Sequence, residues 1–297
     1  MVWLSAMEDH PSIARLFVEA VQRLFADEAI PLAGNIAFRI LFSVFPFLIF
    51  LTALAGFFGS TDLASRIVTY LLSIAPPELV NPIAPEIRSV LTRPRTGLLS
   101  ISALLTVWSA MGGVDSVRVA LNRAYGITEH RNIFLLYLTI VLFVFGAAIV
   151  LLGLAVLIVL GPVIVNFASQ YAPGLMDIVT VFNRYRYPAA VILLTGGLFF
   201  AHWILPAGRV KVKYLFPGIV FTVAAWILLS TAFSYYLVHF GTFASTYAGL
   251  SGLVAAMFLI YLSALALIFG GEINRVIVQR RKLHKRPEEK TDLSKQQ

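Results

Sequence analysis

Six separate stretches of this 297-residue chain are each long and apolar enough to cross a bilayer, and together they hold most of its residues. A hydrocarbon layer about 30 Å thick takes roughly 20 apolar residues per helix, and within it every backbone amide must find a partner inside the protein. Only helices or closed barrels meet that condition. Barrel strands show short alternating runs, whereas these runs are solid, so the sequence predicts an all-α polytopic membrane protein with six transmembrane helices plus amphipathic interfacial helices. The composition agrees: 59% of residues are hydrophobic, 13% are charged and the mean hydropathy is +0.85. A water-soluble fold of this length could hardly cover so much apolar surface, so a globular enzyme is a poor reading.

The spans fall at about 36–58, 97–114, 133–165, 188–206, 215–240 and 248–271, inside a transmembrane domain covering 31–278. Residues 1–30 read as a cytoplasmic amphipathic helix, 59–96 as an extracytoplasmic loop and 279–297 as a basic, disordered cytoplasmic tail. The second span is short and is expected to continue as helix into the next loop. The third is longer than a simple crossing requires. Gly146, Gly153 and the Gly161-Pro162 pair offer it places to bend, so it is expected to be tilted or broken.

Lys and Arg near helix ends tend to remain cytoplasmic, which sets the orientation. With the N-terminus inside, sixteen basic residues lie on the cytoplasmic side and six on the other, Arg39 being left out because it lies within the first span. Both termini are therefore expected in the cytoplasm. Residues 1–11 carry Glu8 and Asp9 and no apolar run precedes Ile36, so the first span is expected to act as an uncleaved anchor. With no cysteine, the chain forms no disulfide and no thiolate metal site.

Two further segments are amphipathic. Ile13, Leu16, Phe17, Ala20, Val21, Leu24 and Phe25 make one apolar stripe at helical spacing, and Leu63, Ile67, Tyr70, Leu71 and Ile74 another. Each fits either a membrane-lying helix or one packed on the rest of the protein.

Charged and polar groups within or beside the spans are the candidates for function, because they are costly there and usually face a bundle interior or a hydrated cavity. Arg39 shares a helical face with Asn35 and Ser43. If the second span continues as helix, Asp115, Arg118 and Asn122 share a face, with Arg123 beside them. Asp115 would neutralise Arg118 or hold it for an anionic group. Glu272 and Asn274 end the last span, and Glu272 is expected to pair with Arg118 or Arg123. Tyr247 sits in a small-residue re-entry, beyond which Gly249, Gly252 and Ala256 would let helices approach closely. An ion-pair clamp that only fixes helix packing fits the same residues.

These segments also carry a resemblance. The runs Phe-Ser-Val-Phe-Pro-Phe-Leu at 42–48, Leu-Asn-Arg-Ala-Tyr-Gly at 121–126, Phe-Pro-Gly at 216–218, Thr-Tyr-Ala-Gly-Leu-Ser-Gly at 246–252 and Gly-Gly-Glu-Ile-Asn at 270–274 resemble the YihY/BrkB family of bacterial inner-membrane proteins, from about residue 20 to 280. The resemblance implies a six-helix protein of the inner (plasma) membrane linked to serum resistance and to traffic of envelope lipid or lipopolysaccharide, in a family once labelled ribonuclease BN.

A hydrolytic nuclease needs clustered carboxylates or histidines, and here His10, His130, His202, His239 and His284 are scattered with no HxH, HExxH or DxD pattern. The expectation is a protein that is not an enzyme, uses no cofactor and binds membrane lipids, with an anionic lipid or lipopolysaccharide precursor as cargo and no nucleic acid. Transport or flipping of that amphiphile is the first reading. A non-catalytic scaffold is the second, and the chain could be a monomer or a homo-oligomer. No Walker A loop is present, so transport would not be powered by ATP in this chain.

Overall fold

In the computed structural model the described residues are 13–58, 96–162, 176–208, 210–240 and 250–294, with residues 65, 69, 84, 85 and 89 between the first two segments. Among them there is no strand. Seven α-helices follow one another: α1 Ile13–Ala26, α2 Ala29–Phe58, α3 Thr96–Tyr125, α4 Ile133–Ala155, α5 Met176–Ile204, α6 Phe216–Phe240 and α7 Leu250–Ser294. All but α1 are long and apolar enough to cross a membrane. Their apolar side chains point outward: Leu104 is 72% exposed and Ile149 70%. In water this surface would drive association, whereas against lipid tails it costs nothing. The chain is a membrane protein.

Several boundaries differ from the sequence reading. α3, by contrast, runs unbroken past 114 to Tyr125, the continuation expected of the second span. α2 begins at Ala29 and carries Pro46 inside, and α5 begins at Met176 and carries Pro188 inside, where the sequence pattern made Pro188 a start signal. Transmembrane helices tolerate such prolines because neighbouring groups re-satisfy the freed carbonyls. α7 continues through Ser294 instead of giving way to a disordered tail at 279. The segment from Gln279 is rich in Arg, Lys and Glu, good helix formers that extend a helix already nucleated by the apolar part.

α4 departs from regular geometry just before the Gly161-Pro162 pair, while Gly146 and Gly153 lie in regular helix. After Ala155 the chain makes a π-helical segment, Val156–Leu160, and the Gly161 N–H reaches back to the Val156 carbonyl. Pro162 can neither donate to the ladder nor pass the carbonyl four residues earlier without a clash, and the widened turn relieves it. Residues 163–165 of that span, the second amphipathic stripe, Tyr247 and Gly249 lie outside the described residues.

By its contacts the chain divides into two compact units, Phe38–Gly113 and Met1–Ala37 with Val114–Gln297. In the smaller unit, Ser43, Thr52, Ser102, Thr106 and Ser109 each bond a carbonyl of their own helix, which satisfies hydroxyls that lipid could not. Arg39 reaches the Gly112 carbonyl at 3.4 Å.

In the larger unit α6 and α7 pack along one another, α5 lies on α6 and α4, and α1 lies on α7. Its core joins Leu121 and Tyr125 of α3, Leu198 and Ala201 of α5, Ile219 and Val223 of α6 and Leu267 of α7. The α6–α7 crossing is close enough to require glycine on both sides. A Cβ on Gly218 would collide with the Gly270 carbonyl oxygen, and one on Gly270 with the Thr222 hydroxyl. At Gly252, where a close approach was expected, no described residue comes within 4 Å of an added Cβ. Small residues permit contact without producing it, and here Gly218 and Gly270 are the pair that meet.

Candidate functional site

One end of the larger unit gathers a network of charged and polar side chains. The end of α1, the start of α2, the end of α3, the end of α5, the start of α6 and the exit of α7 all meet there. α3 closes on Gly126, whose φ of +63° is the left-handed geometry that favours glycine. The Gly126 N–H donates to the Arg123 carbonyl and the Ile127 N–H to the Asn122 carbonyl, the paired bonds of a Schellman stop. The chain then turns through 127–131, and Asn132 caps α4 by accepting from the Phe134 N–H.

Glu129 in this turn organises the cluster. Its carboxylate accepts from Arg118 at 2.5 Å, from Asn122 at 3.2 Å, from Arg131 Nε at 2.8 Å and from the Arg131 backbone at 3.1 Å. Hydrogen bonds from Arg131, helped by Arg118 and opposed by partial burial, hold it well below the usual carboxylate range, at about 2. Arg131 also donates to the Leu205 carbonyl at 2.7 Å, and Asn122 accepts from the Ala207 N–H at 2.8 Å. The clamp therefore ties α3, the turn into α4 and the turn after α5 to one another.

A second group of ion pairs fastens α1. Glu19 accepts from Arg23 of its own helix and from Arg280 of α7. Burial raises its pKa, but the two guanidinium groups outweigh it and the net shift is downward. Arg275 binds Asp27, and Arg123 binds Glu28 across an exposed gap of 2.9 Å. Apolar contacts complete the joint: Ala20 is buried against Phe269 and Val276, with Leu16, Leu24 and Ile273 around them. Of the two placements open to this stripe, the structure packs its Ala20 side on α7, while Val18 and Phe25 stay exposed.

Beneath the ion pairs lies a buried hydrogen-bond chain. Asn274 accepts from the Gly218 N–H at 2.8 Å and donates to the Leu215 carbonyl at 3.0 Å and the Tyr125 hydroxyl at 3.1 Å. Gly218 lies in the first turn of α6, where an N–H has no partner within its own helix, so Asn274 acts as a cap supplied by another helix. Since Tyr125 accepts from Asn274, its own proton is directed to His202 Nδ1, 2.8 Å away. That places the His202 hydrogen on Nε2, which has no partner among the described residues.

The sequence candidates thus divide. Asp115, Arg118 and Asn122 do share a face and meet in one network. Arg123 is near but turned to Glu28, Asn274 belongs to the buried chain, and Arg39 lies in the other unit. The expected pairing of Glu272 with Arg118 or Arg123 does not occur. Arg118 is taken by Asp115 and Glu129, and the cation nearest Glu272 is Arg275, one turn along its own helix. Glu129, Arg131, Asp27, Glu19 and His202 were not singled out from sequence. The signal for Glu129 was available: it is the one acid between Asp115 and Asp177, in a stretch containing Arg118, Arg123 and Arg131.

Residues 20–295 match the family model described as Virulence factor BrkB. A ribonuclease-like protein, YfkH, of Bacillus subtilis is 29% identical over 84% of this chain and 90% of its own length. UPF0761 membrane proteins of Alteromonas mediterranea and Pseudoalteromonas atlantica are each 23% identical, over 88% and 89% of this chain and 87% and 85% of theirs. No solved structure matches.

Proposed function

From the chain's membership of the BrkB family, we propose that it moves an anionic amphiphile of the cell envelope, a lipid or lipopolysaccharide precursor, across a bacterial inner membrane. The observation that carries this reading is an asymmetry along the helices. Pro188 of α5 and the π-helical segment Val156–Leu160 that follows α4 each lie towards the end of their helix remote from the ion-paired turns. A proline or a π-helical turn inside a helix weakens its hydrogen-bond ladder there, and transporters place such irregularities along the pathway. Helices fastened at one end and irregular towards the other suit alternating access better than a static post. α1 and the exit of α7 meet at the fastened end, which is also where basic residues concentrate, so that end is assigned to the cytoplasm with both termini.

A scaffold is the second reading, favoured by the pairing of Arg23, Arg118, Arg123, Arg131, Arg275 and Arg280 with carboxylates. On the transport reading Arg118 meets a headgroup only when Glu129 lets go. The name ribonuclease-like attaches to the Bacillus relative. Among the described residues no three His, Asp or Glu side chains gather to hold a metal ion, and no hydrolytic step is assigned.

The chain has no cysteine, so single thiols placed at Ser43 and Ser109 can be probed from each side of a vesicle with a membrane-impermeant reagent. Transport predicts labelling of both at membrane depth, slowed by a soluble short-chain phosphatidylglycerol. Protection of both until the protein is unfolded would leave the scaffold.

A further inference from the structure

The Glu272 carboxyl is fully buried, and neither of its oxygens has a hydrogen-bond partner among the described residues. The nearest cation is Arg275, whose Nη1 lies 3.9 Å from Glu272 Oε2 and 2.5 Å from the Asp27 carboxylate. One guanidinium stands against two carboxyl groups. The other groups that act on Glu272 are few. Asp27 itself faces it from the turn after α1, Arg23 attracts it more weakly from α1, and Tyr125 faces it from α3. Arg23 is already matched by Glu19, and Tyr125 is committed to His202 and Asn274.

With both carboxyls ionised, this enclosed site carries one negative charge more than its dedicated cation can balance. Two carboxylates held together do not both ionise readily, and an unmatched charge away from water is expensive. One proton neutralises the site and gives one carboxyl an O–H to donate to the other. We propose that Asp27 and Glu272 form a binding site for a single exchangeable proton beside Arg275, and that its occupancy sets how firmly α1 is docked on α7.

Uptake forms one O–H bond, with the proton drawn from the water at that end of the bundle. Asp27 supplies the route, since its side chain is 24% exposed while that of Glu272 is sealed. When the proton leaves, Arg275 is drawn between two carboxylates and its hold on Asp27 weakens. That bond is what ties the turn after α1 to α7, and the contacts of Leu16, Ala20 and Leu24 with Phe269 and Val276 depend on the same docking. The proposal goes beyond the transport reading and does not depend on the cargo.

Infrared difference spectra of the full chain in lipid nanodiscs read the proton directly. As pH falls, the wild-type protein should gain a protonated-carboxyl band that is absent from Glu272→Gln and shifted in Asp27→Asn. Docking is read by Val276→Cys, a thiol beneath α1. Its maleimide labelling rate, divided by the rate for Val276→Cys combined with Glu272→Gln, cancels the thiol's own pH dependence and should rise several-fold as pH increases. Identical wild-type and Glu272→Gln spectra at every pH, or a labelling ratio that does not change with pH, would overturn the proposal. The spectra use a core unaltered at Val276, so a misfolded cysteine variant cannot mask the result.

Discussion

Glu129 shows how a single side chain can set the strength of one end of the bundle. Its folded pKa of about 2 lies below the ordinary 4.5, so its ionised form is what the fold stabilises. The contribution is complete above about 4.5 and is lost as pH falls towards about 2. Glu129→Gln should lower unfolding stability in detergent at neutral pH by about 1 to 3 kcal/mol, since it weakens charge-assisted bonds and leaves Arg118 and Arg131 under-matched. The gap between variant and wild type should close as pH falls through that window. A gap independent of pH would mean that Glu129 acts through packing alone. The residue escaped the sequence reading because helical spacing finds partners on one helix, and Glu129 reaches Arg118 and Asn122 only after the chain has turned at Gly126.

At the scale of elements, the α6–α7 crossing is the joint least tolerant of change. Gly218→Ala would drive a methyl group into the Gly270 carbonyl, backbone against backbone, where neither side has a rotamer to yield. Overpacking commonly costs about 1 to 3 kcal/mol, and this contact belongs at or above the upper end. The same change at Gly252 meets none of the described residues and should be close to neutral. Thermal unfolding of the two variants side by side checks the difference, and equal losses would put the crossing elsewhere. The helices themselves were legible from apolar run length, and the break in α4 from Gly161-Pro162. Their ends were not, because Pro188 reads as a start signal in water, and because no local pattern distinguishes the glycines that meet another helix from those that do not.

For the molecule as a whole, the fold class and the family were both readable in the chain, the first from its six apolar runs and the second from five short motifs. The site was only half readable. Sequence brought Asp115, Arg118 and Asn122 together, but the bonds that join α1 to α7 span more than two hundred residues, and nothing local announces them. Those bonds make one end of the larger unit a fastened base, while Pro188 in α5 and the π-helical segment after α4 lie away from it. Lipid movement is the consequence to be tested. Purified protein reconstituted into vesicles containing fluorescently tagged phosphatidylglycerol should let a membrane-impermeant quencher reach tagged lipid beyond the outer leaflet's share, faster than in protein-free vesicles. A quenching trace indistinguishable from protein-free vesicles, with the protein shown to be folded and inserted, would contradict transport and leave the ion-paired bundle as a scaffold.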